Sequence, residues 1–312
     1  MRCKSSDVKR FGKTLTQQQR WYCHQCHRTF IWKLPSTHHI HWFKKWIIEG
    51  YSVRQLSSIS KLSRATLKRC IQYWLKHPPH STYSLSTVRH IICDGTFLEH
   101  RTGIYIVMDA DTKQLVYAAY DISEGSGILP IVYRSLADAG LSPKSVTVDG
   151  NPYQIKYLRA VWPSIKLQRC IVHVQRQGLS WCRRNPKRTD VKHLRKIFLR
   201  ICAVKTSAEV RQVIADVEVW EQRFGFAITQ STDRGWVFSD LLRARSMLLK
   251  ALPDMFHYVR NSHIPSSTNT LESYFSRLKE HYRHHRGLAI HHRDAYFKWY
   301  FYLLPGKISN KK

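Results

Sequence analysis

The stretch Ile91-Ile92-Cys93-Asp94-Gly95-Thr96 places an acidic residue directly after a run of apolar ones. The same arrangement returns in Val146-Thr147-Val148-Asp149-Gly150-Asn151. Short apolar runs that end at Gly, Asn or Asp are typical of buried strands. We therefore expect Asp94 to end one strand and Asp149 to end another. If these two strands pair, their carboxylates lie close together at one edge of a sheet.

The segments around these two strands predict a mixed α/β domain. Three strands separated by short polar turns come first, followed by a helix, a strand, a second helix and a last strand. The predicted strands are 88–93, 104–108, 115–120, 145–148 and 165–169, and the predicted helices are 126–139 and 153–161. This order is typical of a ribonuclease-H-like catalytic domain, whose first part we expect over residues 86–177.

A helical insertion is expected after this first part. Residues 178–255 are polar and basic and show helical spacing without the alternation of a strand. Beyond the insertion, one helix is expected from about Ser267 to Arg283 and an aromatic helix from about Ala289 to Leu304. These two helices would close the core, so the last part of the domain is expected over residues 256–305.

The first 33 residues predict a small zinc-ribbon-like module. Cys23 and Cys26 form a Cys-x-x-Cys pair flanked by aromatic residues, and Cys3 supplies a third thiol. A tetrahedral zinc site needs four ligands. Three explanations stay open: the chain begins after the fourth ligand, His24 or His27 replaces it, or the module binds no zinc.

Residues 38–77 predict a helix-turn-helix. Gly50 stops the first helix of this region, and Ser63 is a suitable N-cap for its last helix. That last helix would point its polar residues outward, where they could contact DNA: Arg64, Thr66, Lys68 and Arg69. The alternative is a helical hairpin with a solvated basic face. Pro78 and Pro79 end the module.

The charge of the chain indicates a polyanionic partner. Lys and Arg number 51 against 21 Asp and Glu, which gives a formal net charge of +30. Such a protein attracts nucleic acid, and its binding should weaken steeply with salt. We expect no membrane partner, because no stretch approaches the roughly 20 apolar residues of a membrane span. The first residues lack the apolar core of a signal peptide, so we expect a cytoplasmic, DNA-associated protein.

A third acid completes the predicted site. Glu272 follows Asn269 by one helical turn, so both side chains lie on one face of the predicted helix. Two carboxylates 4 Å apart repel by about 4 kcal/mol at an effective dielectric of 20. A divalent cation between them makes the net electrostatic interaction attractive. Each acid alone could also be an N-cap or a surface residue. Arg277, Arg283 and Arg286 follow Glu272 and are expected along the DNA path.

Four motifs together resemble a known family. They are Asp94-Gly95-Thr96-Phe97, Asp149-Gly150-Asn151, Cys170-Ile171-Val172-His173 and Asn269-Thr270-Leu271-Glu272. Their order and spacing are similar to those of DDE transposases of bacterial insertion sequences, in particular the IS256 and Mutator-like group with its IS1249-type branch. The similarity covers most of residues 88–304, and the N-terminal modules resemble the end-binding modules of that group.

The resemblance implies a function and a set of roles. Asp94, Asp149 and Glu272 would bind two Mg²⁺ or Mn²⁺ ions, and Cys170 and His173 would form an auxiliary motif of catalytic or structural role. The protein would cut the 3′ ends of its element in double-stranded DNA, join them to target DNA, and act as a dimer or larger assembly. Two alternatives remain: an inactive or domesticated relative that only binds DNA, and a nuclease that lacks strand transfer.

Overall fold

The computed structural model describes residues 5–32, 39–79, 83–99, 102–122 and 127–306. The chain divides into two compact units, Met1–Pro78 and Pro79–Lys312. The first unit holds three short antiparallel strands followed by three helices. They are β1 (Val8–Lys13), β2 (Gln19–Cys23), β3 (Thr29–Ile31), α1 (Ile40–Glu49), α2 (Val53–Ser60) and α3 (Arg64–Leu75).

Local signals in the sequence set the ends of these three helices. Gly50 takes the left-handed conformation (φ 68°) that ends α1, and this conformation favours glycine. Ser52 and Gln55 form a capping box at the start of α2. The Ser63 hydroxyl accepts a hydrogen bond from the Thr66 backbone N–H at the start of α3. The predicted helix boundaries of this region are therefore confirmed.

The second unit is built on a five-stranded mixed sheet. Its strands are β4 (His90–Glu99), β5 (Thr102–Asp109), β6 (Leu115–Tyr120), β7 (Ser145–Val148) and β8 (Lys166–Arg169), in the order β6-β5-β4-β7-β8. The first three strands pair antiparallel, whereas β7 and β8 run parallel to β4 and to each other.

The first strand of this sheet runs further than predicted. Strand β4 does not end at Cys93, because it pairs with β5 as far as Glu99, and Asp94 lies opposite Ile106 inside this ladder. The Asp94-Gly95 pair therefore makes no turn. Only the parallel partner β7 stops near this point, since its last pair with β4 is Ile92 with Thr147. Asp94 thus marks the end of the parallel pairing and not the end of its own strand.

Helices cover both faces of the sheet. Helices α4 (Leu129–Asp138) and α5 (Pro152–Val161) form an apolar core with one face, which includes Ile91 and Cys93 of β4. Because strand residues alternate between faces, Ile92 and Asp94 point to the opposite face. Helix α12 (Asn269–Arg283) contacts β4, and helix α13 (Ile290–Leu303) contacts β6. Tyr120 of β6 stacks on Phe297 of α13 with ring centroids 4.9 Å apart.

The remaining helices have a core of their own, made of residues between Ile171 and Phe256. They are α6 (Ile171–Cys182), α7 (Thr189–Ile201), α8 (Ser207–Trp220), α9 (Phe226–Gln230), α10 (Trp236–Ala251) and α11 (His257–Arg260). Gly178 lets α6 approach α7 closely, since a Cβ there would overlap the Phe198 ring. The predicted junction between residues 177 and 178 lies inside α6. No helix among the described residues is long and apolar enough to cross a membrane.

Candidate active site

Asp94 lies on β4, and Asp149 directly follows β7, the parallel neighbour of β4. Ile92 pairs with Thr147, and each aspartate lies two residues further along its own chain. Adjacent strands are about 4.8 Å apart, so this register places the backbones of the two aspartates near one another where the parallel pairing ends. Asp94 is buried, and its Oδ1 accepts a hydrogen bond of 2.9 Å from the Gly95 N–H. Asp149 follows β7 and its side chain is 44 % exposed.

Glu272 joins these aspartates from the first turn of α12. Its Oε1 lies 3.1 Å from Nε2 of His173 and 3.6 Å from Nη1 of Arg176, both on α6. Helix α12 also contacts β4, the strand that carries Asp94. The acid that comes last in sequence therefore reaches the same end of the sheet as the first two.

His173 lies between two of the three acids. Its Nδ1 lies 3.7 Å from Oδ1 of Asp149, and its Nε2 contacts Glu272. A hydrogen bond to Cys170 raises the pKa of His173 to about 9; burial opposes this rise, and the charges of Asp149 and Asp94 add to it. The ring is therefore a cation at neutral pH, and it balances part of the charge of the three carboxylates.

Cys170 and Thr268 hold this histidine in place. The Cys170 Sγ lies 3.1 Å from His173 Nδ1 and accepts a hydrogen bond of 3.4 Å from the Thr268 N–H. The Thr268 Oγ1 lies 3.4 Å from the same Nδ1. Burial alone would raise the pKa of the Cys170 thiol, but the hydrogen bonds from His173 and Thr268 lower it below its usual value. Thr268 was not predicted to be a site residue. The one signal for it in the sequence is its place directly before Asn269, where α12 begins.

Two arginines that the sequence did not reveal line a cleft beside the acids. The cleft has a volume of about 430 Å³, and its walls include Asp149, Arg169, His173 and Arg176. The Arg169 Nε donates a hydrogen bond of 3.3 Å to the Asp149 backbone oxygen. Its guanidinium lies so close to Gly150 (φ +120°) that a Cβ at this position would overlap it. Arg176 follows His173 by one turn of α6, a spacing that the sequence does contain.

The donor set of this site suits a hard divalent ion. Three carboxylates offer only oxygen ligands, which Mg²⁺ and Mn²⁺ prefer. In the part of the chain that the structure describes, the acids do not bring one oxygen each within 4.8 Å of the other two. The side chains of Asp149 and Glu272 are 44 % and 34 % exposed, so both have room to move onto an ion.

Comparison with known proteins identifies the family. A family model described as Transposase, Mutator family matches residues 47–288. The chain belongs to this family. The matched region contains all three acids together with the Cys170–His173 pair, and it confirms the resemblance to Mutator-like transposases that the motifs predicted. The narrower IS1249-type branch stays a prediction. A search of curated proteins gave no match.

The residues of this transposase that were predicted to bind DNA are mostly exposed. Among those of α3, Thr66 is the exception: it is half-buried and its Oγ1 lies 2.9 Å from the Ser63 Oγ. Asn269, the first residue of α12, is also exposed. The exposed arginines and lysine of this set are Arg64, Lys68, Arg69, Arg277, Arg283 and Arg286.

The predicted zinc ligands lie partly outside the described residues. Cys3 is one of the residues that the structure does not describe. Cys23 is buried at the end of β2, and Cys26 lies in the following turn. His27, one of the two candidate substitutes, has its Nδ1 3.0 Å from the Tyr22 hydroxyl. The zinc site therefore stays a prediction.

Proposed function

We propose that this transposase is a metal-dependent enzyme of the DDE type, with Asp94, Asp149 and Glu272 as its metal ligands. It cuts the 3′ ends of its element by hydrolysis and joins the freed 3′-OH to target DNA. The observation that carries the proposal is the position of His173, which contacts both Asp149 and Glu272. An acid after β7 and an acid on α12 thereby come together beside the buried Asp94.

The proposed catalytic domain has a ribonuclease-H-like fold. Support comes from the strand order β6-β5-β4-β7-β8, in which three antiparallel strands are extended by two parallel ones. The helices between α6 and α11 form the proposed insertion, supported by their separate apolar core. In this arrangement the insertion interrupts the domain between the second aspartate and the glutamate.

The residues of the site divide the work of phosphoryl transfer. The three carboxylates would hold divalent ions, which would supply activation of the attacking oxygen and stabilisation of the leaving oxygen. The three carboxylates fix where positive charge is held, and Cys170 with Thr268 orients the His173 ring at the same place. Arg169 and Arg176 line the cleft next to Asp149 and give it positive charge that attracts a DNA phosphate.

The first unit would bind the ends of the element. We propose a helix-turn-helix in α2 and α3, with Arg64, Lys68 and Arg69 facing DNA, and a zinc ribbon in the strands before it. The short connection between Ser60 and Arg64 and the exposed basic side chains of α3 support this assignment. At least two copies of the chain would act together, because two element ends must be held at once.

Cleavage of a duplex that carries an element end tests this function. The full-length protein is mixed with labelled duplex and Mg²⁺ or Mn²⁺, and the 3′ nick and its joining to a second duplex are measured. We expect Asp94→Asn, Asp149→Asn and Glu272→Gln each to retain DNA binding and to lose cleavage by about a thousandfold or more, since metal stabilisation supplies several kcal/mol.

Matched controls separate charge removal at the site from charge removal elsewhere. Asp138→Asn and Glu218→Gln change exposed acids of α4 and α8, outside the site, and should cut at the wild-type rate. Normal cleavage by Asp94→Asn would exclude this triad. Specific end binding without cleavage in either metal would instead favour the inactive DNA-binding relative.

A further inference from the structure

Three side chains that can bind metal meet at the other end of strand β4. His90, Asp111 and His263 each offer one ligand atom, and these atoms all lie within 4.8 Å of one another. The His263 Nδ1 is 2.9 Å from Oδ1 of Asp111. The rings of His90 and His263 stack at a centroid distance of 5.6 Å with an angle of 16°. The three residues come from three separate places in the chain: the start of β4, the turn after β5 and the segment after α11.

His90 is oriented by a buried partner. Its Nδ1 lies 2.7 Å from the Oγ of Ser145, the residue that pairs with it on β7. Both side chains are buried. Because this bond occupies Nδ1, Nε2 is the ring nitrogen left to bind an ion. Histidines that bind metals usually have their second nitrogen fixed by such a partner.

The other two residues are also held by their own turns. The Asp111 N–H donates a hydrogen bond of 2.9 Å to Oδ1 of Asp109, a buried carboxylate that also accepts one from the Tyr83 hydroxyl. The His263 N–H donates a hydrogen bond of 3.0 Å to Oδ1 of Asn261. The backbone at Asp111 and His263 is therefore held by contacts that do not depend on an ion, and the His90 ring is held by Ser145.

We propose that His90, Asp111 and His263 form a second metal site, which binds a divalent transition-metal ion such as Zn²⁺. Two imidazole nitrogens and one carboxylate oxygen are a typical ligand set for zinc, whereas Mg²⁺ favours oxygen ligands alone. The side chains of His263 and Asp111 are 66 % and 44 % exposed. Water therefore reaches the ion and completes its tetrahedral coordination.

This site is separate from the three acids. His90 precedes Asp94 by four residues on an extended strand, which corresponds to about 13 Å. The metal chemistry also differs, since the three acids offer only oxygen ligands. Binding of zinc at His90 is therefore a property of its own and does not rest on the proposed cleavage reaction.

The ion would fasten the segment that leads to Glu272. After His263, the buried Ile264 packs inside the domain, and the Pro265 carbonyl accepts a hydrogen bond of 2.8 Å from the Thr147 hydroxyl. The Ser266 carbonyl accepts one of 3.0 Å from the Ile171 N–H, at the start of α6. Thr268 then precedes α12. Zinc would add a strong link at the first residue of this segment, where the ligand side chain is most exposed.

Zinc titration of the full-length, chelator-treated protein tests the site. Isothermal titration calorimetry gives the number of zinc ions bound and their affinities for the wild type, Asp111→Asn and His263→Gln. We expect each variant to lose one zinc ion per chain, or to bind it at least about 10–100-fold more weakly, because loss of even a supporting partner costs that much. Ser145→Ala should weaken the same ion by about 10–100-fold. The exposed-residue controls Asp138→Asn and His284→Gln should match the wild type.

Zinc bound at Cys23 and Cys26 or at the three acids would contribute equally to every protein tested, because these sites are unchanged. A difference in zinc count between the wild type and a variant therefore reports on the His90 site. Equal counts and affinities in the wild type, Asp111→Asn and His263→Gln would overturn the proposal. Hydrogen exchange of the wild type gives a second readout, in which zinc should slow exchange of the Ile264 amide at least about tenfold. Unchanged exchange would overturn the fastening role. If the wild type bound zinc at His90 as expected but did not cleave DNA, only the proposed function would be contradicted.

Discussion

Strand β4 carries two polar sites that differ in how they are held. Near Asp94, the partly exposed carboxylates of Asp149 and Glu272 contact the ring of His173. At His90, the Ser145 hydroxyl fixes the His90 ring, and hydrogen bonds from the backbone N–H groups of Asp111 and His263 hold their turns. The first arrangement leaves carboxylates that can close on ions and substrate together. The second combines one fixed ring with two side chains that contact each other at 2.9 Å. Strand β4 thus carries one residue of the proposed catalytic site and one residue of the proposed structural metal site.

Substituting one ligand at each site and testing both variants for cleavage and for zinc binding should give the largest effects. Asp149→Asn should lower single-turnover cleavage by about a thousandfold and leave zinc binding at His90 unchanged. His263→Gln should lose this zinc and keep most of the cleavage rate when Mg²⁺ is present. Single-turnover rates and zinc titrations on the same preparations measure both. If either variant lost both properties, the two sites would not be independent.

The charge on His173 predicts a pH-dependent stability of the metal-free protein. Its pKa is raised from an ordinary 6.5 to about 9, chiefly by the bond to Cys170. The stability gained from the charged ring is therefore complete below pH 6.5 and is lost as the pH rises through about 9. A shift of this size corresponds to about 3 kcal/mol.

Urea unfolding of the wild type and His173→Gln in chelator at pH 6 and pH 9.5 measures this contribution. The variant should be less stable at pH 6, and the difference should shrink at pH 9.5. His284→Gln, an exposed histidine away from the acids, serves as the control at both pH values. An equal difference at the two pH values would show that the lost packing of the ring, and not its charge, causes the destabilisation.

Gly150→Ala should give the smallest effect of the set. Gly150 and Gly140 both have positive φ, at 120° and 97°, but a Cβ meets the Arg169 guanidinium only at Gly150. Gly140→Ala is therefore a matched control for backbone strain. We expect Gly150→Ala to destabilise the protein by about 1–3 kcal/mol more than the control, the usual cost of overpacking. Equal losses in urea unfolding would show that Arg169 moves aside freely.

Local patterns predicted much of the α/β architecture and the residues of the candidate site. Asp149, Glu272, Cys170 and His173 stand in short motifs next to recognisable strand and helix ends, and the structure brings them together. The continuation of β4 through Asp94 was not predicted. It depends on pairing with β5, and Gly95 within the run is more typical of a strand end.

Contacts between distant segments account for the rest of what the sequence did not reveal. His90, Asp111 and His263 have no mutual spacing that marks a metal site, because they meet only after the sheet and the segment before α12 have formed. The packing of Arg169 on Gly150 likewise joins two strand ends. Neither residue type nor local spacing signals such a contact, so only the folded chain shows it.

The central claim is that the three acids place metal ions on the DNA phosphate that is cut. A duplex with one non-bridging sulfur at that phosphate tests it under single-turnover conditions. Mn²⁺ accepts sulfur better than Mg²⁺, so we expect one sulfur isomer to be cut at least about tenfold more slowly in Mg²⁺ and to recover in Mn²⁺. Asp94→Asn should show no recovery. Equal rates for the sulfur and oxygen substrates in Mg²⁺, or normal cleavage by Asp94→Asn, would contradict the claim.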